Sequence, residues 1–418
     1  MLTLFKNQNF SKLFWGRVIT NAGDSLYAVA AMWLVYELGG STFLTGLAGF
    51  LVLFPQTLQF LAGPLVDRWS LRNTLVVTQI IQGTFVAIIP VAAFFDLLNV
   101  VFVLVVMPII ALLNQFVYPA QTAALPTILS KDELVKGNSA FSFAYQGVDL
   151  AFNALAGVLV AVVGATTLFI IDSITFALAA ILFSLLKLPA RNKDNSDNNK
   201  LNMALKRYKE DLVEGIHFVW NSILAKFFLG SIIANGAIGI TLAVMPAYAD
   251  LRGGPEFYGA YLAAISTGVL IGALTASFFS KMPLGKLGII SFGLGGLLWI
   301  SSSITLNSYV SILLFGFAWI PVGVTNVIMV AAMQRMIPDR LLGRVFAVMG
   351  SISTIAMPIG SLLGGTIATA LSSQVVIGST GFGFIFVSMY WLFVSVLRQL
   401  PPTDKLDPYK YGFNDHSA

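Results

Sequence analysis

Of 418 residues, 57% are hydrophobic and only 10% are charged, well below the ~25% of an ordinary soluble chain, so most of this chain is built to avoid water. The net charge of +5 does not point to nucleic acid, because the Lys and Arg residues sit in short gaps between long apolar runs. With no cysteine and two histidines, disulfides and thiolate metal sites are excluded; no zinc, haem or other cofactor is expected.

In chain order, twelve apolar runs of about 20 residues or more each predict a spanning helix. The first six are Leu13–Tyr36, Phe43–Val66, Thr74–Phe95, Leu98–Gln121, Ser139–Val163 and Thr166–Lys187. The second six are Lys226–Ala249, Phe257–Ser280, Lys286–Leu306, Tyr309–Met333, Gly343–Leu371 and Val376–Leu397. Gly164 separates runs five and six. The first run leads into YELGGST with no cleavage pattern and is long enough to span uncleaved. The expected class is an all-α polytopic membrane protein.

Basic residues set the orientation. With twelve crossings both termini share one side, and Lys6, Lys12, Arg68, Arg72, Lys131, Lys136, the Lys187–Lys226 cluster, Arg335, Arg340 and Arg344 all fall there. Only Arg252 falls on the other. This bias predicts cytoplasmic termini.

Residues 188–225 interrupt the pattern. PARNKDNSDNNKLN reads as a flexible linker. After it, Leu205, Tyr208, Leu212, Ile216 and Val219 fall at helical spacing with charges between, predicting an amphipathic helix on the cytoplasmic surface with His217 at its polar edge. The linker separates bundles 1–187 and 226–397, and residues 398–418 form a cytoplasmic tail. The halves echo each other: a shift of 213 residues aligns Gly46 with Gly259 and Arg68 with Lys281. Two such halves with a site at their interface form a transporter plan.

Ionisable residues inside the spans are Arg17, Asp24, Asp149 and Asp172, all in the first half. Arg17, Asn21, Asp24 and Ala28 follow i, i+4, i+7, i+11 on helix 1; Ser142, Gln146, Asp149 and Asn153 repeat that spacing on helix 5. Two acids at matching depth suggest a shared wet cavity that exchanges protons, with Asn114 and Gln115 of helix 4 beside it. The alternative is that the stripes glue helices together. Arg17 is expected to snorkel to the inner interface or to steady a neighbouring helix, and Asp172 to serve structure. The second half offers Asn235, Thr241, Asn326 and Gln334 among aromatics such as Tyr261, Trp299, Phe315, Phe317 and Trp319. Gly268 with Gly272 and Gly360 with Gly364 permit close helix contact. Pro55, Pro108, Pro246, Pro321 and Pro358 can kink spans. No phosphate-cradling loop, G-x-S-x-G or H-E-x-x-H occurs, so neither ATP-driven transport nor an enzyme is expected.

The loop GPLVDRWSLRN resembles the signature of the major facilitator superfamily, G-x-L-A-D-R-x-G-R-R/K, at Gly63, Leu65, Asp67, Arg68 and Arg72. Ser70 and Leu71 depart from it. The resemblance implies a cytoplasmic latch in which Asp67 meets the positive start of helix 11 near Gly343 and Arg344. GDSLYAVAAMWLVYELGGS, YPAQTAALPTILSKDELVKGNSA and LLGRVFAVMGSISTIAMPIGSLLGG are similar to the macrolide-efflux branch. Enterobactin-type exporters and lysophospholipid transporters look similar over the first two. The resemblance implies alternating access and export driven by proton influx. The leading expectation is a monomeric, proton-coupled exporter of amphipathic compounds. A lipid flippase or siderophore exporter of the same fold and a membrane sensor are the alternatives.

Overall fold

The computed structural model describes residues 2–62, 66, 69–188 and 213–411, and no strand occurs among them. The chain divides into two compact units, Met1–Asn202 with Gly253–Gly259, and Met203–Arg252 with Ala260–Ala418.

The first unit holds α1 (Gln8–Gly39), α2 (Thr42–Leu53), α3 (Leu71–Phe94), α4 (Val100–Asn114, resuming as Val117–Ile128), α5 (Leu134–Ser142 and Val148–Val163) and α6 (Ala165–Ser184). The second holds α7 (Leu224–Asp250), α8 (Pro255–Thr275, whose residues up to Gly259 count with the first unit), α9 (Leu284–Ile304), α10 (Ser308–Met336), α11 (Asp339–Ala370) and α12 (Ser373–Phe393). Asx and serine side chains set several starts. Asn7 accepts from the Asn9 and Phe10 amides, and Asn307 caps α10 in the same way. Gly40, at φ 58°, ends α1 in the left-handed conformation.

Among the described residues, eleven helices are long and apolar enough to cross a membrane, and Ala151–Val163 is a shorter apolar helix. That shorter piece belongs to α5, whose ladder is broken by a π-helical turn at Phe143–Gly147. Gly164, at φ 81°, separates α5 from α6 as expected. Proline alters local geometry where expected at Pro55, which opens a 3-10 segment, Phe54–Leu61, after α2. Helix α11 corrects the sequence reading. It starts at Asp339, directly after Pro338, so Gly343 and Arg344 lie a turn inside it and not at its start.

Burial follows a membrane solvent. Large apolar side chains such as Phe278, at 82% relative exposure, face outward, while small residues and aromatics fill the interior. The helix pairings repeat. In the first unit α1 packs on α5 and α6, and α3 on α6; in the second α7 packs on α11 and α12, and α9 on α12. Helices α2 and α8 start 213 residues apart, matching the sequence echo. The anticipated glycine contacts form: Gly268 and Gly272 press on the α10 backbone at Gly316 and Ile320, and Gly360 on Gly236 of α7. Within the first unit Gly157 and Gly259 touch backbone to backbone, and Trp33 stacks on Tyr258 at 5.6 Å.

Two segments outside the spans depart from expectation. Of the amphipathic helix only residues 213–220 are helical among those described, while Leu205, Tyr208 and Leu212 lie outside the described residues. Ile216 and Val219 do not share a face: Val219 is buried in the second unit's core, and Ile216 is exposed with Val213 and Trp220. The described residues after α12, up to Tyr411, pack against the second unit. Leu397 and Leu400 are fully buried, Leu284 N donates to Pro401 O at 3.2 Å, and Ile223 N donates to Tyr411 O at 3.2 Å. Leu406 joins the same core.

Candidate functional site

The polar residues of α1 converge on the π-helical turn of α5. Such a turn widens the helix and interrupts the regular i→i−4 ladder, so nearby carbonyls can serve outside donors. Asn21 uses them, its Nδ2 donating to Ala144 O at 3.2 Å and Tyr145 O at 2.8 Å. Arg17 Nη2 donates to Asn21 Oδ1 at 2.7 Å, and the guanidinium lies 3.9 Å from the Tyr145 ring centroid. Arg17 is therefore buried and steadies a neighbouring helix; it does not snorkel to the interface. Tyr145 carries the network onward, donating its hydroxyl to Gln121 Oε1 of α4 at 2.5 Å.

The two acids meet at this junction. Ser25 Oγ lies 2.5 Å from Asp149 Oδ1 and 2.8 Å from Asn21 O. Asp24 is half-buried and lies within electrostatic reach of Arg17, Asn114 of α4 and Asp149. Asp24 stands sixteen residues into α1 and Asp149 fifteen into α5. Asp149 is exposed and gives the cluster an open side.

Several predicted residues do not join it. Gln115 turns back on its own helix, Nε2 to Ala111 O at 2.8 Å, where α4 breaks. Asn153 is half-buried one turn beyond Asp149 and makes none of these contacts. The side chain of Gln146 lies outside the described residues, as do Gly63, Asp67 and Arg68 and the side chain of Arg344 at Gly343–Arg344. Arg72 is exposed in the first turn of α3.

Sequence reasoning missed Ser25, and Asp172 makes the kind of contact expected of a structural residue. Ser25 sits four residues after Asn21, a spacing that places both on one face. Asp172 is fully buried on α6 against Gly23; Thr175 Oγ1 lies 3.1 Å from its Oδ1, and its Oδ2 has no partner. The Tyr27 hydroxyl on α1 is buried without a partner as well.

A different chemistry occupies the second unit. A cavity of ≈ 260 Å³ opens between α7, α10 and α12. Phe227 and Trp391 stack in parallel at 5.5 Å along one wall, while Trp319, Met329 and Met333 line another. Among the described residues, none that lines it is ionisable. Of the aromatics singled out from sequence, Trp299 and Phe315 pack behind Trp319 in the core, and Phe317 points outward.

The sequence matches the transmembrane secretion effector family of the major facilitator superfamily over residues 1–413. The chain belongs to that family. The chain is 25% identical over 412 residues to the multidrug efflux pump Tap of Mycolicibacterium fortuitum, covering 94% of this chain and 97% of Tap. It is 22% identical over 363 residues to macrolide efflux protein A of Streptococcus pyogenes, covering 85% and 88% of the two chains. In fold it is similar to a bacterial homologue of the human lysosomal transporter Spinster, with TM-score 0.72 at 11% identity over 96% of this chain and 98% of that one. The chain is thus a multi-pass membrane transporter with the twelve-helix major facilitator fold.

Proposed function

We propose that the protein is a proton-coupled exporter of small amphipathic compounds that works by alternating access. The observation that carries this reading is that Asp24 and Asp149, on different helices, share one polar cluster inside an apolar bundle, with Ser25 against Asp149. Ser25 has a single hydroxyl proton and faces two oxygens, the Asn21 carbonyl and Asp149 Oδ1. When Asp149 is ionised, Ser25 must share its proton between them. When Asp149 is protonated, the acid donates to Ser25 and Ser25 donates to Asn21 O, satisfying every group. The cluster therefore has two orderly states that differ by one proton.

The names of the relatives, multidrug and macrolide efflux pumps, support outward transport and amphipathic cargo. The basic-residue bias supports cytoplasmic termini. Under this reading Asp67, Arg68 and Arg72 with the start of α11 act as the cytoplasmic latch, and one polypeptide in the lipid bilayer suffices for transport.

The test is efflux of a fluorescent amphipathic dye from proteoliposomes carrying an imposed pH gradient. Export should stop when the gradient is collapsed and in Asp24→Asn combined with Asp149→Asn. Dye export that continues unchanged under both conditions overturns proton coupling. Scrambling of a fluorescent lipid without dye export would replace the reading with a flippase.

A further inference from the structure

We infer that the turn between α3 and α4 is a lipid anchor: Phe94, Phe95 and Leu97 insert among the headgroups of the bilayer face they border, and the Asp96 carboxylate favours phospholipids whose headgroup carries an ammonium over purely anionic ones. The inference does not depend on what the protein exports or on how export is driven.

Depth comes first. Both α3 and α4 are long and apolar enough to cross a membrane, and only residues 95–99 join them. The polar layer on each side of a bilayer core is about 5–8 Å deep, and a link this short, pinned at both ends, stays within reach of it. A lipid-facing stripe also leads into the turn. Val77, Ile80, Thr84, Ile88 and Val91 are exposed on α3 at intervals of three or four residues, and Phe95 is next in the series. Thr84 hides its one polar group by donating its hydroxyl to Ile80 O at 2.7 Å. Val101 and Val105 continue the exposed apolar surface onto α4.

The backbone holds the anchoring side chains out. Leu97 N donates to Ala92 O at 2.9 Å and Asp96 N to Ala93 O at 3.1 Å, the paired bonds of a Schellman closure, with Asp96 in the left-handed region at φ 55°. Asn99 then caps α4, accepting from Phe102 N at 3.0 Å. Phe94 and Phe95 sit edge to face at 5.3 Å. Phe94, Phe95 and Leu97 are 82%, 63% and 69% exposed, so no part of the protein covers them. Three large apolar side chains on one rigid turn are costly against water and favourable within the interfacial layer.

Asp96 sets the choice of headgroup. Glycine or asparagine would close this turn equally well, so the aspartate contributes a charge and not a conformation. Its carboxylate is exposed and has no partner among the described residues. At headgroup depth the abundant cation is the lipid ammonium, which can pair with the carboxylate and lie against a phenyl face. A headgroup with a negative charge and no ammonium is repelled by the same carboxylate.

The chain has no cysteine, so one introduced thiol reports one place. The experiment uses the full-length protein in lipid nanodiscs, with bimane attached at Val91→Cys, Phe94→Cys, Phe95→Cys or Leu97→Cys. Quenching by a phospholipid with a nitroxide near the top of its acyl chain is compared with quenching by iodide in the water. Val91 is the lipid-facing reference, and bimane on glutathione is the water reference. At the three turn positions the nitroxide lipid should quench nearly as well as at Val91, and iodide should quench far less than it does the glutathione adduct. Iodide quenching equal to that of the adduct overturns the anchor.

Headgroup choice is read at Leu97→Cys, which keeps both rings and Asp96. In nanodiscs of mixed phosphatidylethanolamine and phosphatidylglycerol, the nitroxide should quench about threefold more when carried on the first lipid than on the second, the scale of an exposed ion pair. Asp96→Asn should bring that ratio close to one while quenching persists, and Asp96→Gly, which suits the same backbone, gives a second reading if Asp96→Asn folds poorly. Equal quenching by the two lipids with Asp96 in place, or a preference that survives its removal, overturns the headgroup assignment.

Discussion

Ser25 Oγ stands 2.5 Å from Asp149 Oδ1, a contact that ties α1 to α5 across 124 residues of chain. A hydrogen bond to a charged group contributes about 1.5–3 kcal/mol, and removing one partner leaves the other wanting. Ser25→Ala should therefore lower the thermal midpoint in detergent and slow gradient-driven export at least tenfold. Ser25→Thr, which keeps the hydroxyl, should restore most of both. Unchanged export by Ser25→Ala would separate Asp149 from the cycle.

Gly23 is where α1 passes Asp172. A Cβ there would run into Asp172 Oδ1 and Thr175 Oγ1. Gly23→Ala should reduce folded yield, with a cost of roughly 1–3 kcal/mol from overpacking. Since the obstacle is the Asp172 and Thr175 side chains, the double substitution Thr175→Ala with Asp172→Ala should tolerate Gly23→Ala better than either background alone. The cycle is read as melting temperatures of all combinations; strict additivity would show that Gly23 matters for another reason.

Asp172 and Asp24 are expected to behave differently when made neutral. Asp172 is sealed from solvent with one oxygen unpartnered, whereas Asp24 is half-buried beside Asn114, Arg17 and Asp149. Asp172→Asn should leave dye export within about threefold of the parent, because an amide of the same shape suits an enclosed site that holds no counter-charge. Asp24→Asn should abolish coupling to the gradient. The reverse order in the same efflux assay would move the proton site to the α1–α6 contact.

The segment after α12 predicts a stability effect far from any site. Pro401 O and Leu400 O accept from Leu284 and Gly285 at the start of α9, Arg335 donates to Asp404 O, and Leu406 packs in the second unit's core. Free amides at a helix start need acceptors, and here the chain's own strap supplies them. Ending the chain after Gln399 should lower the melting temperature by several degrees and expose the amides of Leu284 and Gly285 to rapid hydrogen exchange. Leu406→Asp should do the same in part. Protection of both amides in the shortened chain would sink the idea.

The twelve spans and the split at Gly164 were legible because lipid selects on composition and helices on spacing. What the helical wheel could not show was any deviation from 3.6 residues per turn. It therefore gave no hint that Asn21 would bind the backbone of Ala144 and Tyr145, and although Ser25 shares a face with Asn21, spacing alone did not bring it to Asp149. The capture of the final segment escaped for another reason. Leu397, Leu400 and Leu406 are too sparse to form a pattern, and only a partner surface distant in sequence gives them meaning. Val219 and Ile216 failed as one face because a tertiary core claimed the first and left the second outside.

The π-helical turn at Phe143–Gly147 holds one more residue than an α-turn does, so it acts as a phase shift in α5. Everything beyond it, Asp149 included, is rotated by about 100° relative to an uninterrupted helix. Removing a single residue from the turn would leave the composition and hydropathy of the span nearly untouched, yet swing Asp149 away from Ser25. Position numbers in an alignment and directions in space part company at this point. A relative can keep an aspartate in the matching column and still aim it elsewhere if its fifth helix lacks the extra residue.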